Sequence, residues 1–130
     1  MIALGLGARS GVDLPGPVLA ALASAGLVPA DVSVLASLDR RAGEPRVREL
    51  AAAYGWRVAG FRAAELAACP VPHPGRAAAA AVGTPSVAEA AALLAAGPGA
   101  RLIMPKRAHG GVTVALALFI QPAGSHQGFC

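Results

Sequence analysis

The sequence predicts an α/β fold, a three-layer α/β/α sandwich with a mostly parallel sheet and an antiparallel edge. Two observations carry this prediction. Short apolar segments with strand character alternate with segments of helical periodicity over the first two-thirds of the chain. Near the end, two strand-like segments follow each other across Gly110 and Gly111, a pattern typical of a hairpin and therefore of an antiparallel strand pair.

Each element rests on its own local signal. Apolar runs bounded by turn residues predict strands at residues 2–7, 32–38, 56–61, 101–104 and 112–119. Apolar residues at helical spacing, with glycine at the end of the segment, predict helices at residues 14–25, 45–54 and 87–97, and a helical turn at residues 63–67. We expect one domain over residues 1–120, a proline-rich surface loop at 69–75, and a flexible tail at 121–130.

Composition excludes several classes of protein. The 130 residues include 33 alanines, and the longest apolar run near the end, residues 114–120, is far short of the ~20 residues that span a membrane. The first residues show neither the basic start nor the long apolar region of a signal peptide, so we expect a cytoplasmic location and no membrane partner. The two cysteines and three histidines show no metal-site spacing. With 4% aromatic residues and a single lysine, nucleic acid is a poor partner.

The net charge of +4 comes from ten arginines and one lysine, Lys106, against seven acidic residues. Lysine and arginine are not equivalent where a compact ammonium is needed, so the lone lysine is a candidate binding residue. Survival of one lysine by chance, in a chain with a coding bias toward arginine, is the alternative interpretation.

A glycine-rich segment, residues 5–11, follows the first predicted strand and precedes the first predicted helix. A dinucleotide-binding fingerprint requires glycine where Ser10 stands, so a nicotinamide or flavin site is disfavoured. The remaining interpretation is a turn whose backbone N–H groups approach a ligand, with Gly7 and Arg9 as candidates. A purely structural tight turn explains the same residues.

Two further segments follow predicted strands and carry charge. Residues 39–44 form a predicted loop with Asp39, Arg41 and Glu44, and residues 104–111 form another with Lys106. If the strands share a direction, these loops and the Arg9 turn meet at one sheet edge and form a basic pocket suited to a polycarboxylate. Helix stabilisation by Glu44 and a charged hairpin tip around Lys106 are the structural alternatives.

Ser86 and Glu89 have the spacing of a capping box at the start of the helix predicted at 87–97. That role explains Glu89 completely. The same helix N-terminus is nevertheless able to receive an anion, which keeps both residues among the binding candidates.

Four ordered blocks of this sequence resemble the cobalamin-biosynthesis family that comprises CobE and the C-terminal domain of CbiG, and most closely its free-standing members. The blocks lie at residues 5–12, 36–45, 83–93 and 105–115. The resemblance implies an α/β/α sandwich that acts in corrin-ring construction on an anionic tetrapyrrole, in association with other enzymes of that pathway. It implies no resident cofactor, since a bound cobalt would belong to the substrate.

The resemblance also bears on individual residues. Lys106 falls on the family's Pro-Lys position, and Arg41 stands where the family has lysine. Ala8 stands where the family often has cysteine, which argues against covalent catalysis by a thiol. The candidate substrate-binding residues are Gly7, Arg9, Arg41, Ser86, Glu89 and Lys106.

The sequence leaves three interpretations of function open. The first is binding or handling of a corrin-pathway tetrapyrrole without chemistry. The second is hydrolysis of the lactone of precorrin-5A or cobalt-precorrin-5A with release of acetaldehyde, for which Glu44 or Asp39 is the candidate general base. A generic α/β interaction module is a third interpretation.

Overall fold

Five strands and five helices make up the part of the chain that the computed structural model describes, residues 1–8, 14–68, 87–97, 99–109 and 111–119. The strands are β1 (Ile2–Ala8), β2 (Val32–Leu38), β3 (Arg57–Phe61), β4 (Arg101–His109) and β5 (Val112–Leu118). The helices are α1 (Pro15–Ser24), α2 (Asp39–Ala42), α3 (Pro45–Tyr54), α4 (Ala63–Ala68) and α5 (Val87–Ala96), with a 3-10 turn at Pro29–Asp31 before β2. None of these helices has the length and apolar character needed to cross a membrane.

The five strands form one sheet in the order β3-β2-β1-β5-β4. β1, β2 and β3 pair in parallel, whereas β5 pairs antiparallel with both β1 and β4. β4 therefore runs in the same direction as β1, and the reversed strand is the second from the edge. This arrangement confirms the predicted α/β fold with a mostly parallel sheet and an antiparallel edge.

Helices cover both faces of the sheet, which makes the sandwich three layers thick. On one face, α1 and α3 pack on alternate strand residues such as Leu4, Leu35 and Val114. On the other face, α5 and α4 pack on the residues that alternate with them, among them Ala3 and Ala36. The core thus has a large-residue side beneath α1 and α3 and a small-residue side beneath α5.

The small-residue side allows α5 to approach β1 unusually closely. A Cβ atom on Gly5 would lie 1.8 Å from the carbonyl oxygen of Ala88 and 2.8 Å from the amide nitrogen of Ala92. Gly5 is therefore needed for close packing of helix on strand. Gly5 and Gly7 both lie within β1, so the strand predicted at residues 2–7 is confirmed and the glycine-rich turn predicted from the same segment does not include them.

Two predicted loops also turn out to be regular structure. Residues 39–42 form α2, one helical turn directly after β2, where a loop was predicted. The strand predicted to stop at residue 104 continues to His109, so Lys106 lies in β4 and not in a loop. Pro105 is tolerated there because β4 is an edge strand, where one side of the backbone has no neighbouring strand in the described sheet.

Helix ends and the hairpin follow the sequence signals. α3 ends at Gly55, which adopts the left-handed conformation with φ of 74°. β4 and β5 form the predicted antiparallel pair, and Gly111 in their connection has φ of 83°. The predicted loop at 69–75, the predicted tail at 121–130, Arg9 and Ser86 lie outside the described residues.

Candidate functional site

The candidate residues that the structure describes lie toward the carboxyl edge of the sheet, where β1, β2 and β4 all end. In the described pairing, Ala8 lies opposite Val112, which in turn lies opposite His109. β2 and β4 are separated by β1 and β5, so their ends are three strand spacings, roughly 14 Å, apart. The edge therefore offers a broad surface, on which elements after β2 and residues of β4 lie at opposite ends.

Gly7 forms part of the sheet surface just beyond the N-terminus of α5. It lies two residues after Gly5 and therefore on the same face of β1, opposite Thr113 of β5. Gly7 and Thr113 are both half-buried. Among the residues that the structure describes, the atom nearest to a Cβ on Gly7 would be Thr113 Cβ at 3.8 Å, an ordinary contact distance. Gly7 therefore carries no side chain at a point where the described residues leave room for a small one.

Lys106 is held at its backbone by a carboxylate from α5. The backbone N–H of Lys106 donates a hydrogen bond to Oε2 of Glu89, with a nitrogen–oxygen distance of 3.0 Å. Glu89 is fully buried, and Lys106 is half-buried. A bulge in β4 accompanies this bond, since the pairing with β5 shifts in register between Met104 and Arg107. The bulge and the carboxylate together determine the backbone position of Lys106.

Asp39, Arg41 and Glu44 surround the junction between α2 and α3. The carboxylate of Glu44 accepts a hydrogen bond from Nη1 of Arg41 and another from Nε of Arg46, the latter at 2.7 Å. These two guanidinium groups, Arg46 foremost, lower the pKa of Glu44 below its usual value although partial burial opposes the shift. Asp39 is exposed at the first position of α2. Glu44 is therefore a weak proton acceptor in this arrangement.

Comparison with known proteins identifies the family. The profile of the family described as "Cobalamin synthesis G C-terminus" matches residues 2–117, which include every described strand except the last residue of β5. The chain belongs to this family. The match confirms the resemblance read from the four sequence blocks, and its relatives place the chain among the proteins of cobalamin biosynthesis.

Individual relatives of the cobalamin synthesis G C-terminal family agree in sequence and in fold. Protein CobE of Sinorhizobium sp is 40% identical over 99 residues, which are 75% of this chain and 64% of that relative, so the chain spans less than two-thirds of its length. The crystal structure of a CobE from the cobalamin biosynthetic pathway superposes with a TM-score of 0.74 at 31% identity, covering 90% of this chain and 89% of that one. Cobalamin biosynthesis protein chiG from Agrobacterium tumefaciens str. C58 superposes with a TM-score of 0.65 at 33% identity, covering 91% and 98% respectively.

The structure groups the predicted site residues of this family member in two places. Glu89 and Lys106 are bonded to each other, and Gly7 lies on the α5 side of β1. Arg41 and Glu44 are paired at the start of α3, which packs on the opposite face of the sheet. The candidate binding and catalytic roles themselves stay predictions.

Two residues near these groups were missed by sequence reasoning. Arg46 holds Glu44, and its signal is the alternation of basic and acidic residues at 41, 44 and 46. Thr113 faces Gly7, and its signal is a polar residue at an alternate position of an otherwise apolar strand. Among the described residues, no group of three or more His, Cys, Asp or Glu side chains is placed to hold a metal ion.

Proposed function

We propose that this chain binds an anionic tetrapyrrole intermediate of the corrin pathway at the carboxyl edge of its sheet. Family membership supports the pathway, and the edge supports the chemistry of the ligand. Corrin precursors are broad, flat, apolar rings with carboxylates on their periphery. A sheet edge with no side chain at Gly7, with Lys106 of β4 at one end and the arginines of α2 at the other, suits a ligand of that shape and charge.

The observation that carries the proposal is the attachment of Lys106 to the core. Lys106 is the single lysine of the chain and lies in the edge strand β4. Its backbone N–H donates a hydrogen bond to the fully buried carboxylate of Glu89. A charged side chain on a fixed backbone loses less entropy on binding than one on a free loop. Charge-assisted hydrogen bonds from its ammonium to a ligand carboxylate then contribute both affinity and orientation.

A matched pair of corrinoids tests the ligand class. Dicyanocobyrinic acid carries free carboxylates, whereas dicyanocobinamide carries amides on the same ring. We expect dicyanocobyrinic acid to bind the full chain at low ionic strength and dicyanocobinamide to bind at least about tenfold more weakly. The absorbance shift of each corrinoid measures its binding. Absence of binding by both cobyrinic acid and isolated precorrin intermediates contradicts the proposal.

A matched pair of variants tests the site. Lys106→Ala is expected to raise the Kd of dicyanocobyrinic acid by about tenfold or more, because a charge-assisted hydrogen bond is lost. Arg48→Ala removes the same charge from an exposed position on α3 and is expected to leave the Kd within about twofold. Equal weakening by both variants would show that net charge, and not a site at Lys106, attracts the ligand.

In this proposal the chain binds the tetrapyrrole without catalysing a reaction. Lactone hydrolysis is the competing function. Hydrolysis requires a base, and the carboxylate of Glu44 is held by two guanidinium groups that lower its pKa. We therefore expect no acetaldehyde from precorrin-5A or its cobalt form. Release of acetaldehyde that is lost in Glu44→Gln would establish the hydrolase instead, and release retained in that variant would direct attention to Asp39. A cytoplasmic location, pathway enzymes as partners, and cobalt arriving only with the ligand belong to the same proposal.

A further inference from the structure

Glu89 is buried more deeply than capping a helix requires. It lies in the first turn of α5, its side chain is inaccessible to solvent, and α5 packs directly on β1. A carboxylate in such a place costs free energy unless its oxygens receive hydrogen bonds. One of them receives its bond from a residue 17 positions later in the chain, the backbone N–H of Lys106.

The bulge in β4 explains why that N–H is available. Between Met104 and Arg107, β4 advances by three residues while its partner β5 advances by two, from Leu116 to Val114. Such a bulge takes one residue out of regular pairing and re-aims its backbone groups. Oε2 of Glu89 supplies the acceptor for Lys106 there. The bond thus joins the N-terminal turn of α5 to the irregular part of the edge strand.

We infer that Glu89 is a positioning residue. Its hydrogen bond stabilises the bulge in β4 and thereby fixes the backbone position from which the Lys106 side chain extends. It does not contact the ligand, because its side chain is fully buried. This inference rests on the proposed function and deepens it: Glu89 acts on the anionic ligand only through Lys106. It differs from the prediction of Glu89 as a direct binding residue, and the two have opposite consequences for Glu89→Gln.

Two substitutions separate the hydrogen bond from the shape of the side chain. Glu89→Gln keeps an oxygen acceptor and removes the charge. Glu89→Met keeps a similar length and removes the acceptor, and an apolar side chain suits the buried first turn of an alanine-rich helix. Glu49→Gln, on the exposed part of α3, is the control for loss of one negative charge.

The single lysine provides a direct readout of the bond. Labelling the full chain with ¹⁵N-lysine yields one backbone amide signal in a two-dimensional NMR spectrum, that of Lys106. We expect slow hydrogen exchange of this amide in the wild type and in Glu49→Gln. In Glu89→Gln, its exchange rate is expected to stay within about threefold of the wild-type rate. In Glu89→Met the amide loses its acceptor, and exchange is expected to be about tenfold faster or more.

A double-mutant cycle then tests how Glu89 acts on the ligand. Introduced into the wild-type chain, Glu89→Met is expected to raise the Kd of dicyanocobyrinic acid about fivefold or more. Introduced into a chain that already carries Lys106→Ala, it is expected to change the Kd almost no further. Glu89→Gln is expected to bind as tightly as the wild type or tighter. A general loss of folding would weaken binding in both backgrounds, so the cycle distinguishes positioning from mere stability.

The outcomes separate failure of this inference from failure of the proposed function. Unchanged Lys106 exchange in Glu89→Met overturns the inference, as does equal weakening by Glu89→Met with and without Lys106. Weakened binding by Glu89→Gln with unchanged amide exchange shows direct contact with the ligand and also overturns it. If the wild-type Lys106 signal is protected but does not move with either the corrinoid or isolated precorrins, the proposed function fails, and the ligand role of Glu89 fails with it.

Discussion

Glu44 lies between Arg41 and Arg46, which makes folding stability sensitive to its protonation. Its lowered pKa means that its contribution is fully present above the usual carboxyl value of 4.5 and is lost as the pH falls through the folded-state pKa. Glu44→Gln should therefore lower the free energy of unfolding by about 1 kcal/mol at pH 7, and by progressively less below pH ~4.5. Urea unfolding at several pH values measures this difference. The same difference at pH 7 and at pH ~3 would contradict it, and exposed Glu49→Gln is the control.

The role of a single residue can be predicted where composition or the local sequence indicates it. It was missed where it depends on contacts between distant parts of the fold. Composition alone makes Lys106 distinctive, because it is the single lysine of the chain. The spacing of a capping box predicts Glu89 in the first turn of a helix from four consecutive residues, but its bond to Lys106 joins a helix to a strand bulge that no local pattern encodes. Arg46 was missed for a related reason: its role depends on Glu44 being positioned at the start of α3.

At the scale of elements, the contact between α5 and β1 depends on one missing methyl group. Gly5→Ala places a Cβ atom 1.8 Å from a backbone oxygen of α5, so the helix must move away from the sheet. We expect a loss of about 3 kcal/mol in the free energy of unfolding. Gly7→Ala is the matched control on the same face of the same strand, where the nearest atom of the described residues lies at 3.8 Å, and it should change stability little. Chemical denaturation compares them, and similar losses in both would disprove the close approach.

The elements that the sequence predicts well are those with a complete local signal. α3 has proline at its start, apolar residues at helical spacing and a left-handed Gly55 at its end, and it begins and ends where predicted. α2 is too short for periodicity to reveal. The strand predicted at residues 101–104 continues through Pro105 to His109, although proline lacks the N–H that a central strand requires. An edge position removes that restriction, and edge or central position is decided by the whole sheet.

For the whole molecule, the sheet joins segments from opposite ends of the described chain. β1 pairs along its full length with β5, and the backbone N–H of Phe119 donates to the carbonyl of Met1 at 2.9 Å. The alternation of strands and helices predicts a parallel sheet, but not that β5 inserts between β1 and β4. In that order the small residues of β1 and β5 pack together against α5, and they share a face only after folding.

This strand order predicts a gradient of hydrogen exchange across the sheet. β1 is the central strand, with β2 and β5 on its two sides, so its amides exchange only when most of the sheet opens. β3 is an edge strand with exposed residues at both Arg57 and Gly60, and it can open locally. In a mass-spectrometric exchange experiment, peptides covering β1 and β5 should exchange last and those covering β3 much earlier. Urea below the unfolding midpoint should accelerate β1 and β5 together, because both report global unfolding. Exchange of β1 as fast as β3 would be incompatible with a central β1.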